Sequence, residues 1–114
     1  MDNVLTRFLN RREARRGLRD ARRERSKLTP EAQLFVDRLT AEIWSESGDV
    51  GEAERLTRRT LEMQGPQVGF DPATIIMIVQ LCILIYKTLK HYKLLSPTPE
   101  FVGVFFDEKV EDQE

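Results

Sequence analysis

From Pro72 to Tyr86 the chain runs for fifteen residues, PATIIMIVQLCILIY, without a charged side chain. An apolar stretch of that length has to be covered by protein or by lipid, and this constrains the fold more than any other feature. Asp71-Pro72 supplies an N-cap and a proline at the first helical position. Lys87, Lys90, His91 and Lys93 follow, and positive charge suits the C-terminal end of a helix. Ile75, Ile76, Ile78, Val79, Ile83 and Ile85 are β-branched and would also suit a buried strand. The caps and the length select a helix within residues 70–95 instead.

Fifteen helical residues reach about 22 Å, against about 30 Å of hydrocarbon in a bilayer. Lysines that snorkel would add Leu89, Leu94 and Leu95 to the buried length. Two readings stay open: a membrane span, or a helix buried among other protein subunits. For either, Ile75, Ile76, Ile78, Val79, Leu81, Ile83, Leu84 and Ile85 are the candidate contact residues. In a span, the lysine flank favours a cytoplasmic C-terminal side, while the arginines near the N-terminus argue the other way. The rest of a 114-residue chain is expected to offer too little cover. That predicts an oligomer rather than a soluble monomer.

Charge is distributed along a gradient that the net value of −1 conceals. Residues 1–27 carry a net +6, and residues 96–114 a net −5. The first segment, a basic helical arm over 1–28, opens with Val4, Leu5, Phe8 and Leu9 at helical spacing. Beyond Arg11 its apolar stripe thins to Ala14, Leu18 and Ala21, so the helix needs a neighbour to pack on. Arg11, Arg12, Arg15, Arg16, Arg19, Arg22 and Arg23 recur every three or four residues and are candidate phosphate contacts. No aromatic beyond Phe8 is interleaved, which disfavours stacking on single strands. The acidic end of another copy is an equally simple partner, and a solvated face is the plainest reading. Met1 leads straight into this charged helix, so no signal peptide is expected.

Residues 29–66 read as a helical hairpin. Thr29-Pro30 starts the first helix, whose stripe is Ala32, Phe35, Val36, Leu39 and Ile43, with Trp44 beside it. Ser47-Gly48 stops it, and Asp49 with Glu52 three residues on opens the second in capping-box spacing. Gly65-Pro66 ends the hairpin. Residues 96–114 read as an extended acidic tail behind Ser96-Pro97-Thr98-Pro99. Its apolar residues Phe101, Val102, Val104, Phe105 and Phe106 are expected to add to a neighbour's sheet edge or to pack on the chain's own helices. The fold class is therefore all-α: basic helix, hairpin, long apolar helix and extended tail.

Catalytic chemistry finds little here. There is no glycine-rich phosphate loop and no Ser/His/Asp set, and neither a metal nor another cofactor is expected. Cys82 sits among aliphatic residues as an inert thiol, and His91 reads as a surface residue at a helix end. One cysteine excludes an internal disulfide and a multi-cysteine zinc module. The expected function is non-enzymatic.

Two resemblances extend this reading. The run from Gly48 to Leu56, with Ala41, Trp44, Gly48 and Ala53, resembles a single tetratricopeptide-type hairpin. Asp37 stands where that family has its tryptophan, and Thr57 and Thr60 replace a large apolar residue and an alanine. The opening Asp71-Pro72-Ala73-Thr74-Ile75-Ile76, followed by the aliphatic helix and lysines, resembles small structural proteins of bacteriophage particles. That resemblance implies a virion component: internal, ejected or membrane-associated. A cellular single-span membrane adaptor, with the hairpin as its docking module, is the alternative.

Overall fold

The computed structural model describes residues 4–92 and 97–107, with side chains from residue 12 onward. The described residues form five α-helices and no strand: α1 (Val4–Ser26), α2 (Pro30–Glu46), α3 (Val50–Gln64), α4 (Pro72–His91) and α5 (Pro99–Phe105). A 3₁₀ turn at Pro66–Val68 follows α3. The all-α class is as the sequence indicates. The tail is corrected: residues 99–105 are helical, not extended.

Each helix start from α2 onward is fixed by a side-chain cap. The Thr29 hydroxyl accepts from Ala32 N at 3.2 Å, and Asp49 Oδ1 accepts from Glu52 N at 2.8 Å. Asp71 Oδ1 accepts from Thr74 N at 2.7 Å, and the Thr98 hydroxyl accepts from Phe101 N at 3.1 Å. Each satisfies a backbone donor that the first helical turn leaves open. Proline occupies the first turn of α2, α4 and α5, where its missing N–H costs nothing. Glu52 also reaches back, its Oε2 accepting from Gly48 N at 3.3 Å, which tightens the turn between α2 and α3.

The apolar helix is the axis of the molecule. α1, α2 and α3 all pack on α4, and α5 packs on α2. α1 runs antiparallel to α4, since Gly17 lies near Leu84 and Thr88 while Glu24 and Leu28 lie near Met77 and Leu81. Small residues on α1 allow this close approach: Ala14 and Ala21 are buried, and a methyl group on Gly17 would stand 3.1 Å from Thr88 Oγ1. The neighbour that α1 needs is thus α4.

Ile78, Ile85, Leu89, Leu61, Val36 and Val102 are fully buried in one continuous core. Each such side chain contributes about 1.5–3 kcal/mol relative to exposure. This corrects in part the expectation that the rest of the chain offers too little cover for residues 72–86. The cover is one-sided: Ile78, Val79, Leu81, Cys82, Ile85 and Tyr86 are buried, whereas Ile76 and Met77 remain exposed. Trp44 meets Tyr86 at a centroid distance of 5.4 Å, and Lys90 Nζ lies 5.5 and 5.4 Å from the two ring centres. The ammonium thus lies over both rings, where the ring quadrupole attracts a cation.

Candidate interaction surface

The surface divides into three regions built on α4, on α1, and between α2 and α5. On α4, helical periodicity brings Ile76, Met77 and Gln80 to one solvent-facing strip, with Ile83 and Leu84 half-buried farther along it. Ile76 is 58% exposed and Met77 39%. A groove of about 180 Å³ on the α1 side is lined by Glu24, Leu28, Met77, Gln80, Leu81 and Leu84. A second, of about 190 Å³ on the α3 side, is lined by Arg58, Glu62, Ile75, Ile76, Val79 and Gln80. The strip is thus an uncharged ridge between two shallow grooves. Of the contact residues expected from sequence, Ile75, Ile76, Ile83 and Leu84 reach this surface at least in part. Val79 and Leu81 reach it only as the floors of the two grooves, and Ile78 and Ile85 do not reach it, because they form the chain's own core.

On α1, Arg12, Arg15, Arg16, Arg19 and Arg23 are exposed. Arg11 lies outside the residues whose side chains are described. Arg22 is a correction to the contact set: it is 2% exposed and its Nε donates to the Phe105 carbonyl at 3.0 Å. Its guanidinium also stands 5.8 Å from the centre of the Phe105 ring. Here an arginine binds the end of α5 rather than an outside partner.

The third region was not legible in the sequence. Arg25 donates to Asp37 through two parallel bonds, Nε to Oδ1 at 3.0 Å and Nη2 to Oδ2 at 2.7 Å. Both residues are buried, and the pair joins α1 to α2 beneath α5. Gly103 makes room for it, since a methyl group there would stand 2.9 Å from Asp37 Oδ2. Above the pair lies an open groove of about 440 Å³ between α2 and α5, flanked by exposed Leu34 and Val104. The tail residues divide accordingly. Val102 and Phe106 are buried and Phe105 half-buried, while Phe101 and Val104 face solvent.

Cys82 is buried, and desolvation pushes its thiol up to about 12. Only the thiolate reacts, so the native protein at pH 8 is expected to resist alkylation by iodoacetamide. Modification should appear on denaturation, and mass spectrometry showing rapid labelling of folded protein would contradict the packing around α4. Among the described residues no group of three or more His, Cys, Asp or Glu could hold a metal ion. No protein-family model, curated protein or solved structure matches this chain.

Proposed function

We propose that the protein is a non-enzymatic assembly subunit that docks into a larger particle through the exposed strip of α4. The observation that carries this reading is the uncharged ridge of Ile76, Met77 and Gln80 on a helix whose opposite side is the core. A ridge flanked by two grooves is the surface that interdigitates with a helix of another subunit. Because α4 is anchored by α1, α2 and α3, the ridge is held in place before any partner arrives. The resemblance of the Asp71–Ile76 opening to small phage structural proteins supports a virion as that particle.

A membrane adaptor is the second reading, favoured by one observation. α4 is the one helix among the described residues long and apolar enough to cross a bilayer. Spanning would require α1, α2 and α3 to release side chains that are fully buried against it, so protein docking is the simpler use of the strip.

A photo-crosslinking residue at position 77, carried by the full chain where it is naturally made, tests the proposal. A discrete protein adduct is expected, and its loss when Ile76 is changed to Lys would tie it to the strip. Adducts to lipid alone would favour the membrane reading. No adduct at position 77 would remove the strip as a docking surface.

A further inference from the structure

The structure sorts the seven arginines of α1 whose side chains are described into two uses, and the sorting points to a second interface independent of α4. Arg22 and Arg25 are buried and hold α5 and α2. Arg12, Arg15, Arg16, Arg19 and Arg23 are exposed. At 3.6 residues per turn these five fall within an arc of about 100°, over about 16 Å of helix. Ala14, Leu18 and Ala21, which pack on α4, lie on the opposite side of α1. Glu13, Asp20 and Glu24 keep to one flank, about a quarter-turn from the centre of the stripe. The stripe is therefore a line of positive charge uninterrupted by acid, facing away from the bundle.

We infer that this stripe binds the phosphate backbone of double-stranded nucleic acid without reading its sequence. A duplex presents one negative charge per about 1.7 Å of its axis, a density that offers phosphate along the full length of the stripe. The guanidinium fork suits phosphate oxygens, and these arginines stand on a helix already fixed by α4. Single strands are disfavoured because no aromatic side chain is interleaved between Arg12 and Arg23 to stack on bases. A lipid surface is disfavoured because a helix at a bilayer interface buries its apolar face in the lipid. The apolar face of α1 is already committed to α4. With a net charge of −1 on the whole chain, the attraction is local to this face.

The test uses the full chain and two unrelated fluorescent 20-base-pair duplexes, with anisotropy read from about 50 to about 200 mM salt. Equal affinity for both duplexes is expected, with a log–log salt slope of about −4.5 when all five arginines are engaged. The variant R12Q/R15Q/R16Q/R23Q should reduce that slope to about −1, close to one unit per arginine removed. Gln has nearly the helix propensity of Arg, so the fold should be kept, which circular dichroism checks. A charge-matched control at exposed residues of α2, α3 and α4, R38Q/R55Q/R59Q/K87Q, should bind like the parent. Absence of binding at the lowest salt would overturn the inference, as would equal loss in the control. Binding to phosphatidylserine vesicles without binding to either duplex would overturn it in favour of lipid.

Discussion

Asp37→Ala is expected to destabilise the fold by about 3–5 kcal/mol, the cost of leaving a buried charge without its partner. Arg25 would keep its guanidinium beneath α5, with neither of the two bonds it now donates to Asp37. For a domain of this size each kcal/mol moves the melting temperature by about 4 °C, so calorimetry should register a large fall. The pair itself need not add net stability, since taking two charges out of water costs nearly what their attraction returns. Arg25→Met with Asp37→Leu is accordingly expected to recover most of the loss. Gly103→Ala should be destabilising through the same contact, because its methyl group would press on the Asp37 carboxylate. A loss below about 1 kcal/mol for Asp37→Ala would show that water reaches the pair and that α5 does not seal it.

The contrast between the helix caps and this ion pair shows which information is local in a sequence. Thr29-Pro30, Asp49 with Glu52, and Asp71-Pro72 each act within three or four residues, and all three caps form where the sequence puts them. Pro99 lies in the same kind of signal, Thr98-Pro99, yet Pro97 just before it suggests an extended spacer. The helix that follows is stabilised by burying Val102 and Phe106 against the rest of the chain, which no local pattern reveals. Asp37 is the sharper case. By its position in the hairpin it is a departure from a tetratricopeptide-type pattern, and by composition it is one more acidic residue. Its role follows only once α1 brings Arg25 alongside and Gly103 closes over both. The same holds for the arginines of α1. Periodicity groups all seven contact candidates, but only the position of α5 removes Arg22 from the exposed set. For α4 the pattern gives a helix without saying which side is covered, because its residues are apolar all round.

That last ambiguity is resolved by comparing lysine at two positions two residues apart. Ile78 is 0% exposed in the core, whereas Ile76 is 58% exposed on the strip. In the bundle, Ile78→Lys places an unpaired charge in an apolar interior and is expected to cost more than about 4 kcal/mol. The buried ammonium would have its pKa depressed, so the unfolded chain binds the additional proton. Stability of this variant should therefore rise with pH, up to the ordinary lysine value of about 10.4. Ile76→Lys should change stability by less than about 0.5 kcal/mol, with no such pH dependence, while weakening docking through the strip. Across a bilayer the outcome differs. Both positions lie in the same uncharged run, and lysine at either would oppose insertion by a similar amount, about 2.5–3.5 kcal/mol near the centre. Urea denaturation of both variants at pH 7 and pH 9 separates the cases. Equal effects at the two positions would mean that α1, α2 and α3 do not cover α4 in the functional state. A large, pH-dependent loss at Ile78 beside a silent Ile76 would leave the strip as the surface of α4 available to a partner.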